Sequence, residues 1–181
     1  NEINNQHKLT INFRDNNSEV FDYLIAADGV FSKTKQILFK DKGFPKYFNS
    51  IALRGNIKNF DNFDISLFLG PNFHFVIYPI NQNNEFNFIS IIRKQLIEDE
   101  ISNRNLFEDS NFIINLLNQI SSKSKIDLIE KVKDVKCFPI FVSKKLQIPE
   151  LKNVLLVGDA FYSFPPSFAQ GASQSIEAAN E

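Results

Sequence analysis

Residues Lys8-Leu9-Thr10-Ile11-Asn12-Phe13 alternate polar and apolar, the pattern of a half-buried strand. The polar stretch 14–19 supplies turn residues, and 20–27 then reads as a second, more apolar strand near the middle of a sheet. Asp28-Gly29 ends that strand, and Ser32 stands where it can cap a short helix running to Phe39. Asp41-Lys42-Gly43-Phe44-Pro45 breaks the pattern. Strands are then expected over 50–56, 65–69, 73–79 and 86–92, spaced as in an antiparallel sheet with one covered face. Apolar positions at Leu106, Phe107, Ile113, Ile114, Leu116, Leu117 and Ile120 predict a helix over 105–120. A weaker helix is expected over 123–135 and a strand over 137–142. The wholly apolar 153–157 suits a short parallel strand covered on both faces, and a helix is expected from Gln170.

The order is an α/β segment, an inserted sheet with helices, and a return to α/β. It predicts an α/β fold with an α+β insertion, divided at 1–45, 46–143 and 144–181, with the first and last pieces in one domain. Of 181 residues, 20 are Lys or Arg and 21 are Asp or Glu, so no basic nucleic-acid surface is expected. One cysteine excludes a disulfide framework and a multi-cysteine metal site, and no metal is expected. No run is apolar and long enough for a transmembrane helix and no signal peptide opens the chain, so a cytoplasmic location is expected. Methionine is absent, and the last residues read as a helix cut in mid-turn, so the chain is expected to be an internal piece of a longer protein. The 20 phenylalanines accompany abundant Asn, Ile and Lys, a bias toward AT-rich codons.

Two motifs carry the chemistry. Asp28-Gly29-Val30-Phe31-Ser32-Lys33-Thr34-Lys35 and Gly158-Asp159-Ala160-Phe161-Tyr162-Ser163-Phe164-Pro165-Pro166-Ser167-Phe168-Ala169-Gln170-Gly171 each close an apolar strand. Singly, either reads as a plain turn. As a pair they resemble D-G-x-x-S-x-x-R and G-D-A-A-H-x-x-x-P-x-x-G-Q-G of the flavin-dependent aromatic hydroxylases, the single-component FAD monooxygenases that include para-hydroxybenzoate and salicylate hydroxylases. Lys35 stands where Arg is usual, Phe161 for the second Ala, Tyr162 for His and Ala169 for the first Gly.

That resemblance implies part of an FAD/NAD(P)-binding Rossmann-like domain plus an antiparallel-sheet substrate domain. It assigns FAD contacts to Asp28, Gly29, Gly158, Asp159, Ala160, Pro166, Gln170, Gly171 and Ala172. Asp159 would accept hydrogen bonds from the ribityl chain, and the helix beginning near Gln170 would aim free N–H groups at the flavin. Lys35 reads either as a retained positive charge or as a solvated helix residue. Gly70-Pro71-Asn72-Phe73-His74-Phe75-Val76-Ile77-Tyr78-Pro79 resembles the substrate-domain strand of salicylate-hydroxylase-like members. Alternation puts His74, Val76 and Tyr78 on one face and Phe73, Phe75 and Ile77 on the other.

His74 and Tyr78 are then the catalytic candidates, and Arg54, Val76 and Tyr162 the substrate-binding ones. Outside the resemblance, His74 and Tyr78 read as a His and a Tyr on a half-exposed sheet face, and Arg54 reads also as a surface residue. The implied activity is hydroxylation of a small phenolic substrate with molecular oxygen and NADH or NADPH, through a flavin hydroperoxide. A quinone-precursor ring hydroxylase, or a binding module that kept the fold without the redox cycle, is the alternative. The glycine-rich strand–turn–helix that holds the ADP half of FAD in this family does not occur in these residues. Cys137 reads as a small buried hydrophobe, and His7 is assigned no role.

Overall fold

The computed structural model describes residues 3–6, 8–58, 60, 64–80, 84–124 and 128–180. His7 lies outside them. In chain order come β1 (Ile3–Gln6), β2 (Lys8–Asn12), β3 (Ser18–Phe21), β4 (Leu24–Ala26), α1 (Lys33–Phe39) and β5 (Lys46–Lys58). Then follow β6 (Ser66–Gly70), β7 (Phe73–Pro79), β8 (Glu85–Arg93), α2 (Glu98–Ser102), α3 (Ser110–Ser124) and α4 (Leu128–Lys131). The last elements are β9 (Val132–Val142), β10 (Val154–Leu156) and α5 (Gly171–Asn180). The chain divides into two units, residues 1–46 with 141–181, and residues 47–140.

In the first unit β1, β2 and β3 form an antiparallel sheet. The expected strand over 20–27 divides in two. Asp22 and Tyr23 are both exposed and interrupt it, β3 stays with β2, and β4 pairs in parallel with β10. The register sets Leu24, Ile25 and Ala26 beside Val154, Leu155 and Leu156. Ala26, Val154 and Leu156 are buried, whereas Ile25 and Leu155 on the other face are 66% and 54% exposed. The parallel pair therefore has one covered face, not two.

The second unit is a five-stranded sheet in the order β6-β7-β8-β5-β9. Phe73, Phe75 and Ile77 of β7, Phe86 and Phe88 of β8, and Ile51, Leu53 and Ile57 of β5 share one face and form the core with Leu116, Leu117 and Ile120 of α3. The phenylalanines touch one another: the ring centroids of Phe68 and Phe75 are 4.4 Å apart, stacked, and those of Phe75 and Phe88 are 5.7 Å apart. Burying each such side chain stabilises the unit by roughly 1.5–3 kcal/mol.

The helix expected over 105–120 is two elements. Arg104–Phe107 is a 3-10 turn, and the Asp109 carboxylate accepts the Phe112 N–H at 2.7 Å, capping α3 afresh. Of the helix expected over 123–135, residues 125–127 lie outside those described; α4 is one turn, and β9 already begins at Val132. Asp134, at φ 54°, disrupts the alternation of β9, so Val132 and Cys137 are both buried although five positions apart. Burial pushes the Cys137 thiol up to about 12, as befits a residue that acts as a hydrophobe.

Candidate functional site

The first motif builds the entrance to α1. Ser32 Oγ accepts the Lys35 N–H at 2.9 Å, and Asp28 Oδ2 accepts the Thr34 N–H at 3.1 Å and the Thr34 hydroxyl at 3.2 Å. Two helix-start donors are thereby satisfied by two side chains. Burial raises the pKa of Asp28, but the hydrogen bonds from Ser32 and Thr34 outweigh it, and the carboxyl titrates below its ordinary value. Gly29, at φ 77°, makes the turn between strand and helix.

Lys35 is neither solvated nor on the surface; it is 4% exposed. Its ammonium donates to the Phe161 carbonyl at 2.8 Å and to Ser143 Oγ at 3.2 Å, so it ties the first motif to the second. Ser143 Oγ also accepts the Ser163 N–H at 3.0 Å. Burial lowers the lysine pKa. A single donor at the third helix position was not readable as a cross-link, since the pattern of α1 alone leaves that position free to face solvent.

The second motif begins where β10 ends. The Val157 N–H bonds the Ala26 carbonyl at 3.0 Å, which continues the parallel pairing to the two strand ends. Gly158 has φ 59°, the left-handed region that favours glycine; a Cβ there would meet Ser175 Oγ of α5 at 3.4 Å, an ordinary contact, so the backbone angle and not the space calls for glycine. Phe161 and Tyr162 N–H both bond the Gly158 carbonyl, at 2.9 and 3.0 Å, and close a 3-10 turn. Ala169, where the resembling motif has glycine, is left-handed at φ 52°; for alanine that conformation costs of order 1 kcal/mol.

The two strand ends open onto one hollow of about 820 Å³, lined by Ala27, Gly29, Gly158, Asp159, Gly171 and Ala172 among others. Asp159 is exposed, and among the described residues its carboxylate has no hydrogen-bond partner. Gly171 and Ala172 bring the first turn of α5, with its free N–H groups, to the same wall. These groups fit a polyol-linked, anionic cofactor such as FAD: an acceptor for hydroxyls, a helix start for negative charge, and little side-chain bulk. Ala160 is fully buried and Pro166 and Gln170 are exposed; none of the three lines this hollow. Tyr162 lines a second hollow of about 330 Å³ with Phe161, Phe164 and Leu146, which shares Gly158, Gly171 and Ser175 with the first.

In the second unit, the register places the remaining candidates on one face of the sheet, opposite the core. Leu67, Val76, Ile89 and Arg54 form one row across β6, β7, β8 and β5. Leu69, His74, Ile91 and Ala52 form a second, and Tyr78, Asn87 and Asn56 a third. His74 and Tyr78 are four residues apart on β7, so their Cα atoms are about 13 Å apart. They therefore do not converge on one atom. Burial lowers the His74 pKa, so its imidazole is neutral at pH 7. Asn87, which the motifs did not single out, is 4% exposed and its Nδ2 donates to the Tyr78 hydroxyl. Its signal was the strand pairing itself: β7 and β8 are consecutive antiparallel strands whose register places 78 against 87.

Among the described residues no cluster of His, Cys, Asp and Glu could hold a metal, and no helix is long and apolar enough to cross a membrane.

No family model matches the chain. In sequence it is 28% identical over 95 residues to the FAD-dependent monooxygenase eupB of Phoma sp., which covers 46% of this chain and 21% of eupB. In structure it is similar to a salicylate hydroxylase in complex with its substrate (TM-score 0.73, 16% identity, 97% of this chain and 48% of that one). HpxO of Klebsiella pneumoniae, in complex with FAD and uric acid, is similar at a TM-score of 0.63 and 21% identity, over 96% of this chain and 45% of HpxO. The chain spans about half the length of these solved proteins. Over nearly its whole length, it has the two-part fold of the single-component FAD-dependent ring-hydroxylating monooxygenases.

Proposed function

We propose that this chain is part of an FAD-dependent monooxygenase that hydroxylates a small aromatic, phenolic substrate with molecular oxygen and NADH or NADPH. One observation carries the reading: two motifs far apart in the sequence end adjacent parallel strands at one hollow, where the Asp159 carboxylate is unengaged among the described residues and α5 begins. FAD, when bound, supplies the redox and oxygen chemistry. Asp159 would hold its ribityl hydroxyls, Gly29 and Gly158 would let backbone approach it, and the start of α5 at Gly171 and Ala172 would favour its negative charge. Ala160, Pro166 and Gln170 act through the shape of the loop that carries them. Asp28 acts by holding α1 and the Gly29 turn in place.

On the sheet, Val76 supports the ring and Arg54 meets an anionic group. The neutral imidazole of His74 accepts the phenol proton, which makes the ring a better nucleophile. The test is made on the intact protein. It is expected to bind FAD, and to oxidise NADH or NADPH faster when a phenolic acid is added, with one hydroxyl gained per product. Asp159→Ala is expected to weaken FAD binding by at least tenfold. A colourless protein that does not take up FAD, or one that reduces without inserting oxygen, refutes the reading.

A further inference from the structure

The geometry points to Asn87 as a positioning residue that fixes the Tyr78 hydroxyl as a hydrogen-bond donor, so that this face of the sheet selects aromatic ligands bearing an anionic acceptor oxygen. The inference deepens the reading above and rests on it for the aromatic character of the ligand.

Asn is a poor strand residue, and a buried amide is costly unless bonded. Asn87 is nonetheless buried in β8, on the face away from the core, between Phe86 and Phe88 that point the other way. It is the direct cross-strand partner of Tyr78, and its Nδ2 donates to the Tyr78 oxygen. A phenol oxygen that accepts one bond still has a proton to give. Among the described residues no acceptor takes that proton. The amide therefore settles a choice that an isolated tyrosine leaves open, and the hydroxyl is kept as a donor.

The neighbours fit the same ligand. Arg54, exposed and one diagonal step from Asn87, adds a cation to the same face. Leu67 and Leu69 of the edge strand are 57% and 76% exposed, and with Val76 they offer apolar surface for a ring. A donor hydroxyl, a guanidinium and an apolar floor match an aromatic acid or phenolate, and they disfavour a ring that carries only donors.

The experiment is calorimetric binding of 2-hydroxybenzoate to the intact protein, without reductant, for the wild type and Tyr78→Phe, Asn87→Leu, the double variant and Asn87→Asp. Tyr78→Phe is expected to weaken binding about tenfold, as for a bond to a charged acceptor. Asn87→Leu is expected to weaken it several-fold, and the double variant no more than Tyr78→Phe alone, because Asn87 acts through Tyr78. Asn87→Asp is expected to reverse the bond, claim the phenol proton and weaken binding at pH 7 at least as much as Tyr78→Phe. Multiplying losses in the double variant, unchanged affinity in Asn87→Leu or Asn87→Asp, or a wild type that does not bind the probe, overturn the inference. Binding that follows the expected pattern without hydroxylation sustains it and refutes only the monooxygenase reading.

Discussion

The two sheets of this protein are held together by different means. The antiparallel sheet of residues 47–140 buries one whole face in a phenylalanine-rich core. The parallel pair β4–β10 contributes three register pairs, and its second face, at Ile25 and Leu155, is largely exposed. What fixes the geometry beside that pair is polar: Ser32 and Asp28 on the start of α1, and the Lys35 ammonium on the Phe161 carbonyl. Thus the second unit is held by what it hides, and the motif-bearing unit is shaped by a few directed bonds.

The largest effect that would break this comparison is in the apolar core. Phe75→Ala is expected to lower the stability of the second unit by about 3–5 kcal/mol. Denaturant unfolding, with hydrogen exchange localising the loss to β7 and β8, checks it; a loss under about 1 kcal/mol would mean that the ring stack around Phe75 contributes little. Next comes Lys35→Met, which leaves the half-buried Phe161 carbonyl without its donor. A loss of about 1–3 kcal/mol is expected, with faster amide exchange around the 158–163 turn, and Lys35→Arg is expected to recover part of it.

The smallest effect sharpens the contrast through pH. Asp28→Ala removes a helix-start acceptor, for about 1 kcal/mol at neutral pH. The folded-state pKa of Asp28 is below its ordinary 3.8. Its contribution is therefore fully present above that value and is lost as pH falls through the folded value. Stability curves of wild type and variant should run apart above pH 4 and converge in stronger acid. A constant gap across that range would show that the carboxylate charge plays no part.

Much of the second unit was legible because antiparallel strands alternate cleanly. Phe73, Phe75 and Ile77 were separated from His74, Val76 and Tyr78 by spacing alone, and the structure places them so. The run 20–27 was not divisible from sequence, since both halves are apolar and only the exposed Asp22 and Tyr23 mark the change of sheet. The strand start at Val132 was hidden by the irregular Asp134, which defeats both helical and alternating templates. On the site side, the meeting of the Asp28 and Asp159 motifs was legible through resemblance. The destination of Lys35 was not, because a tertiary contact with a carbonyl leaves no trace in local pattern.

Because neighbours along β7 and β8 face opposite ways, the side proposed to meet ligands and the side that holds the fold are written on the same strands yet can change independently. Descendants of this sheet can exchange residues at 54, 74, 76, 78 and 87 for new chemistry while the aromatic lattice behind them stays as it is. The division of labour is one of odd and even positions, and it turns a single hairpin into a platform on which selection can explore new specificities without renegotiating the architecture.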